Sequence, residues 1–144
     1  MPELPEAETI ARGLRPHLPG RRILEVEVLR PDVIVGSAPA FVASLSGRSV
    51  EGVGRRGKNL VLEVTGGGRL VVNLGMTGRL LFASGPPSTK PDPTHPGVRI
   101  RTSGGGTLWY DDARRFGRLQ VMDTPSYRGW SRTLGPEPLG RRFT

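Results

Sequence analysis

The residues best suited to covalent chemistry stand at the start of the chain, Met1-Pro2-Glu3-Leu4-Pro5-Glu6. A small second residue invites removal of Met1, and a bared Pro2 is a free secondary amine. Such an amine attacks a carbonyl or a sugar C1′ to give a charged iminium, the Schiff-base type of intermediate that divides one difficult step into two easier ones. Glu3 is its neighbour and Glu6 follows about one helical turn later, so two carboxylates are at hand to move protons at the same centre. The same stretch also makes an ordinary helix start. Pro5 has no N–H to lose in a first turn, and Glu6 and Glu8 suit the positive end of the helix dipole. That reading accounts for Pro5, Glu6 and Glu8 but gives Pro2-Glu3 no part.

Three further clusters carry chemistry of another kind. Arg55-Arg56-Gly57-Lys58 stands at the entry to a strand, where the glycine lets backbone approach a phosphate and Lys58 offers a point charge. A solvated basic turn is the plain alternative. Leu74-Gly75-Met76-Thr77-Gly78 sets one flexible apolar side chain on a tight turn. Met76 there either fills core or, in a protein that bends DNA, wedges between bases. Asp111-Asp112-Ala113-Arg114-Arg115-Phe116-Gly117 puts two guanidiniums beside an aromatic ring. An arginine next to a phenylalanine suits the hole left by an extruded nucleotide. Its alternative is a turn held by ion pairs of Asp111 or Asp112 with Arg114 or Arg115.

These clusters sit on a strongly basic chain. With 144 residues it is expected to form one domain with a real core, and its net charge of +8 favours a polyanionic partner, nucleic acid first. Of the 21 basic residues all but Lys58 and Lys90 are arginine, a bias that an arginine-rich proteome also produces. There is no cysteine, which excludes disulfides and thiolate metal sites, and His17 and His95 alone do not make a zinc cluster. No cofactor is therefore expected in this chain. No apolar run approaches a membrane span and no charged-then-apolar leader precedes the fold, so a cytoplasmic location is expected.

Several elements must position the clusters. Ala7, Ile10, Ala11, Leu14 and Leu18 recur at three and four, which predicts a helix from Pro5 to about Arg15, ended by Pro16. Packing of that helix fixes where Pro2 points. Arg22 to Leu29 alternates as a half-buried strand, with Leu24, Val26 and Val28 on one face and Glu25 and Glu27 on the other. Ser37 to Leu45 reads as a short helix capped by Ser37. Strands are predicted at Ser49–Val53, Asn59–Val64, Arg69–Leu74, Leu80–Ala83, Val98–Thr102, Thr107–Tyr110 and Arg118–Met122, with Gly66-Gly67-Gly68 and Gly104-Gly105-Gly106 as tight connections. About eight short strands between glycine turns imply a mainly β fold, a sandwich or barrel flanked by helices. Ser84 to Gly97, with five prolines, is expected to lack regular structure. Pro125 to Thr144 thins in apolar residues and is expected to be a linker.

In order and spacing, the four clusters resemble the N-terminal domain of the formamidopyrimidine-DNA glycosylase family, bacterial base-excision enzymes for oxidised purines. The resemblance rests on Pro2-Glu3-Leu4-Pro5-Glu6-Ala7-Glu8-Thr9, Arg55-Arg56-Gly57-Lys58, Leu74-Gly75-Met76-Thr77-Gly78, Arg114-Arg115-Phe116-Gly117 and Leu134-Gly135-Pro136-Glu137-Pro138-Leu139. The related endonuclease VIII branch usually has glycine where this chain has Leu4. The resemblance implies a two-layer β-sandwich with the N-terminal helix packed against it, and a bifunctional glycosylase and abasic-site lyase. Pro2 would attack C1′ of a nucleotide bearing 8-oxoguanine or a ring-opened purine and hold the sugar as a Schiff base through β- and δ-elimination. Glu3 would donate and accept protons at the sugar, Glu6 would support that site, and Lys58 would contact a phosphate beside the lesion. Met76, Arg114 and Phe116 would occupy the duplex after base extrusion, with Arg114 reaching toward the orphaned base. His95 is the local candidate for a histidine that contacts the DNA backbone in the family, with Gly97 the rival for that place.

The resemblance also implies what the partner is and what is missing. The partner would be double-stranded DNA with an oxidised base or abasic site, bound by a monomer in the bacterial cytoplasm or nucleoid. The family's second half supplies a helix–two-turn–helix and a four-cysteine zinc finger. Residues 1–144 are thus expected to be the isolated N-terminal catalytic half, with zinc only in the absent part. Family members usually carry Asp-Pro before the arginine pair, and Asp112-Ala113 here implies a looser loop. Two rival readings stand beside the enzyme: a damaged-DNA-binding module that keeps the wedges without turnover, and a basic β-domain with a structural or RNA-binding role.

Overall fold

The computed structural model describes residues 4–84 and 93–134, with the backbone alone for residues 4–6. The chain forms helix α1 (Leu4–Leu14), strand β1 (Ile23–Val28), helix α2 (Ala38–Leu45), strands β2 (Val50–Arg56), β3 (Asn59–Val64), β4 (Arg69–Asn73), β5 (Gly78–Ser84), β6 (Pro96–Thr102), β7 (Gly106–Asp112) and β8 (Arg118–Met122), and helix α3 (Thr124–Thr133). The strands make two four-stranded antiparallel sheets, in the orders β1-β6-β7-β5 and β2-β3-β4-β8. Inward residues of both sheets, among them Val26, Ile100, Leu108 and Tyr110 from the first and Val53, Leu60, Leu62, Val72 and Leu119 from the second, join one core. This is the expected β-sandwich with flanking helices.

Helix α1 closes the sandwich along β2. Its Ala7, Ala11 and Leu14, with Leu18 beyond the helix end, are buried, as their spacing requires of a core-facing stripe. Two polar contacts fix its direction. Glu8 Oε1 accepts from Arg55 Nε at 2.9 Å, and Arg15 Nε donates to the Val53 carbonyl at 2.8 Å. The helix thus runs antiparallel to β2, and its first turn lies toward the β2–β3 turn. Helix α2 starts as expected, with the Ser37 hydroxyl accepting from the Ala40 N–H and Pro39 in its first turn.

Three expectations change. The β1 alternation breaks at a bulge between Ile23 and Glu25, which turns Ile23 inward and leaves Leu24 exposed. The predicted linker begins instead as helix α3, where the Asp123 carboxylate caps the Ser126 N–H and Pro125 stands in the first turn. Tyr127 and Trp130 of α3 cover Val61, Val71 and Met122 on the outer face of the second sheet, which is why so few apolar residues suffice for it. Finally, the proline-rich run is shorter than expected at both ends, since Ser84 completes β5 and Pro96 opens β6. Residues 85–92 and 135–144 lie outside the described residues.

The strand register gathers the connecting turns. Arg56 pairs with Asn59, Asn59 with Asn73, and Asn73 with Arg118, so one row across the second sheet marks a single end. In the first sheet Gly78 pairs with Asp112 and Pro96 with Asp111. The β2–β3 turn (57–58), the β4–β5 turn (74–77), the lead-in to β6 (93–95) and the β7–β8 loop (113–117) consequently leave the sandwich together. The two glycine turns leave at the other end. There Arg48 donates to the Thr65 carbonyl and Arg21 to the Ser103 carbonyl.

Candidate nucleic-acid interface

The end that bears these turns is where most of the candidate side chains stand. Met76 (48 % exposed) tips the β4–β5 turn, and Phe116 (51 % exposed) and Arg114 tip the β7–β8 loop. Large apolar side chains left in water on tight turns are not core filler, so the core alternative for Met76 fails. The Arg114 guanidinium lies 4.8 Å from the centre of the Phe116 ring, a stacked cation–π pair presented to solvent.

One buried carboxylate holds these two tips. Successive residues of a strand face opposite ways, so Asp111 and Asp112 at the end of β7 serve different sides. Asp112 points inward with Tyr110. Its Oδ2 accepts from the Tyr110 hydroxyl at 2.6 Å and the Gly117 N–H at 2.9 Å, while its Oδ1 accepts from the Thr77 hydroxyl and, at 3.2 Å, the Arg114 N–H. Burial pushes the Asp112 carboxyl up. The Thr77 and Tyr110 hydroxyls and the Gly117 and Arg115 N–H groups outweigh it and hold the carboxyl below its ordinary range. Burial, and then the bond to Asp112, push Tyr110 far above the ordinary phenol range, so it remains a donor.

Backbone contact reinforces the join. A Cβ on Gly75 would lie 2.7 Å from the Gly117 nitrogen and 2.8 Å from the Phe116 carbonyl carbon, so the two turns touch main chain to main chain. Below the loop, Arg118 donates to the carbonyls of Arg115 (2.9 Å) and Gly117 (2.7 Å). The loop is therefore held by hydrogen bonds without the proline usual at position 113, and the looseness expected from Ala113 is offset.

Asp111 faces the other way. It pairs with Arg79 of β5 and accepts the backbone N–H of His95 at 2.6 Å. The His95 ring is exposed at the same end of the sandwich, and its Nδ1 lies 3.1 Å from the Thr94 hydroxyl. Arg115 instead meets Asp32, at 3.6 Å. The expected turn of Asp111 or Asp112 with Arg114 or Arg115 gives way to these partners.

Arg115 has a φ of +56°, a left-handed conformation that side chains with a Cβ resist by about 1 kcal/mol or more. Its half-exposed ion pair repays little of this. Arg115→Gly is accordingly expected to raise the melting temperature by about 2–4 °C, read by differential scanning calorimetry.

The Arg55-Arg56 pair departs from the solvated basic turn that was the plain alternative. Both side chains are buried and structural. Arg55 anchors α1 through Glu8, and Arg56 anchors α3 by donating to the Ser131 hydroxyl (2.7 Å) and carbonyl (2.9 Å). Lys58 alone of the cluster's cations is exposed, on the β2–β3 turn at the end that bears the tips. Pro2 and Glu3 lie outside the described residues, and Glu6 is in α1 with its side chain outside them.

Reading residues by cluster missed Asp112, Thr77, Tyr110 and Arg118. Tyr110 and Asp112 two apart at a strand end, and a threonine in the separate Gly75–Gly78 turn, were the available signal. Among the described residues no three His, Cys, Asp or Glu side chains gather to hold a metal ion, and no helix is long and apolar enough to cross a membrane.

Comparison with known proteins places this architecture. Residues 1–119 match the family described as Formamidopyrimidine-DNA glycosylase N-terminal domain. The formamidopyrimidine-DNA glycosylases of Bradyrhizobium diazoefficiens and Moorella thermoacetica are 40% and 44% identical over 99% of this chain, covering 53% and 52% of their own lengths. The chain thus spans about half the length of the curated relatives it matches. Among solved structures, Lactococcus lactis Fpg in complex with abasic-site DNA superposes with a TM-score of 0.82 at 28% identity, over 91% of this chain and 48% of that one. A complex of the same enzyme with FAPY-dG-containing DNA gives the same values. With a match that runs from the first residue into β8, the chain belongs to the formamidopyrimidine-DNA glycosylase family, through that family's N-terminal domain.

Proposed function

We propose that this domain engages double-stranded DNA at an oxidised purine or an abasic site and acts there in base-excision repair, as a monomer in the bacterial cytoplasm. The observation that carries the reading is the gathering of Met76, Arg114 and Phe116 at one end of the sandwich, exposed and tied together, at the end toward which the first turn of α1 points. Family membership and relatives solved with lesion-bearing DNA support it.

In this reading the tips replace an extruded nucleotide: Met76 and Phe116 wedge into the stack and Arg114 meets the orphaned base. Lys58 holds a phosphate beside the lesion, and His95 a second backbone contact. The Pro2 nitrogen bonds to C1′ as the C1′–base bond breaks, and the base leaves with its electron pair and gains a proton. Glu3 moves protons at the sugar and Glu6 supports that site. The Pro2 nitrogen loses its proton and the C1′–O4′ bond opens, O4′ gaining a proton, to leave an iminium; this acidifies C2′, whose proton is lost as the C3′–O bond breaks and the phosphate leaves.

Borohydride reduction tests this directly. Incubated with abasic-site duplex and borohydride, the 144-residue chain is expected to give a covalent protein–DNA adduct that vanishes when an N-terminal extension blocks Pro2. An adduct that survives the extension overturns the proline nucleophile. A second reading rests on the exposed Met76, Arg114 and Phe116 tips alone: a binding module with salt-dependent preference for damaged duplex and no trapped species. Equal affinity for damaged duplex, intact duplex and RNA would favour the basic β-domain instead.

A further inference from the structure

We infer that Asp112 is a positioning residue that joins the Met76 turn to the Arg114–Phe116 loop, so that both tips enter a duplex as one rigid wedge. The inference rests on the DNA-binding reading above for its purpose but on separate observations for its mechanism. The turn and the loop belong to different connections, β4–β5 and β7–β8, and neither has a strand partner at its tip. Backbone groups in such loops ordinarily find water and leave the loop free to move. Here their partners are internal and shared. One carboxylate takes the Thr77 hydroxyl from the turn and the Arg114 and Gly117 N–H groups from the loop. The Thr77 oxygen also lies 3.3 Å from the Arg114 nitrogen, so a donor of the loop is shared between carboxylate and turn.

Movement of either piece alone breaks this arrangement. Lifting the turn removes the Thr77 hydroxyl from a buried anion and draws Gly75 off the Phe116–Gly117 main chain. Lifting the loop strips the same anion of its N–H donors, while Arg118 holds the loop's carbonyls at its base. An anion left short of donors in a buried site is costly, so joint motion is favoured over separate motion. A wedge that separates stacked bases gains from this, because a stiff tip spends less binding energy on its own ordering.

Two measurements on the 144-residue chain test the inference, one of them free of DNA. In amide hydrogen exchange, Gly78 and Gly117 are expected to open with matched rates in the parent. Thr77→Val, which keeps the side-chain shape and removes the linking hydroxyl, is expected to separate the two rates by about tenfold. Different rates in the parent, or matched rates in Thr77→Val, overturn the join. In binding to abasic-site duplex, Met76→Ala and Phe116→Ala are expected to be non-additive by about fivefold in the parent and additive in the Thr77→Val background. Additivity in the parent, or coupling that persists without the hydroxyl, likewise overturns it. A chain that shows no preference for the abasic duplex defeats the functional reading, whereas the exchange rates still decide the join.

Discussion

Alanine at position 117 is expected to destabilise the domain by about 3 kcal/mol and lower its melting temperature by about 10 °C. The backbone of Gly117 passes so close to Tyr110 that an added Cβ would lie 1.8 Å from the phenol oxygen, and 2.5 Å from the Asn73 carbonyl oxygen on β4. Neither is the free end of a flexible chain. The Tyr110 hydroxyl is held by Asp112 and its ring is locked in the core, while the carbonyl is part of β4. The methyl therefore pushes the β7–β8 loop away from β4. Tyr110→Phe in the same chain removes the nearer obstacle and is expected to restore part of the loss, leaving the clash with Asn73. Thermal melts of the two single variants and the double variant check this. A Gly117→Ala protein that melts with the parent would mean that the turn and loop do not meet as described.

The second large effect concerns the helix that leads to the N-terminus. Arg55→Met is expected to cost about 3 kcal/mol, because the buried guanidinium joins Glu8 at 2.9 Å and also reaches the Gly57 carbonyl at 3.3 Å. Burial pushes the Glu8 carboxyl up, but the hydrogen bond from Arg55, the charge and hydrogen bond of Arg15, and Arg12 outweigh it and leave it below the ordinary range. A carboxyl lowered by folding contributes its stability in full above the unfolded value, about 4.3. That contribution is lost as pH falls through the lowered folded value. The parent is therefore expected to lose stability below about pH 4 more steeply than Arg55→Met, measured by urea unfolding across that window. Equal slopes would show that Glu8 draws its stabilisation elsewhere. If, as proposed, the Pro2 amine is the nucleophile and its aim depends on α1, the same variant is expected to weaken borohydride trapping.

Much of this architecture was legible in the sequence. The spacing of Ala7, Ala11 and Leu14 predicts α1, Asn59–Val64 and Arg118–Met122 are read with the observed limits, and Ser37 marks the start of α2. Those signals are local, carried by alternation, capping and glycine turns. What escaped depends on partners distant in sequence. The bulge in β1 is set by β6, and α3 needs few apolar residues because the second sheet offers it an apolar outer face. Charge was the least reliable guide. The Arg55-Arg56-Gly57-Lys58 cluster reads as a phosphate site through Gly57 and Lys58 or as a solvated basic turn, and neither reading shows that Arg55 and Arg56 are buried fasteners for two helices, because a guanidinium can satisfy carboxylates and carbonyls in several directions at once. Asp112 was visible only as half of an acidic pair. Its role follows from facing inward beside Tyr110, which alternation allows but does not demand.

The far end of the sandwich has a practical use. Strand β7 separates the Ser103–Gly105 turn from Asp112 by about 20 Å. A Cβ built on Gly105 meets nothing within 4 Å. A fluorophore or affinity handle attached through an inserted segment at that turn would report on the protein from a remote position, whereas the same handle at the leading amine would occupy the group whose reactivity is in question.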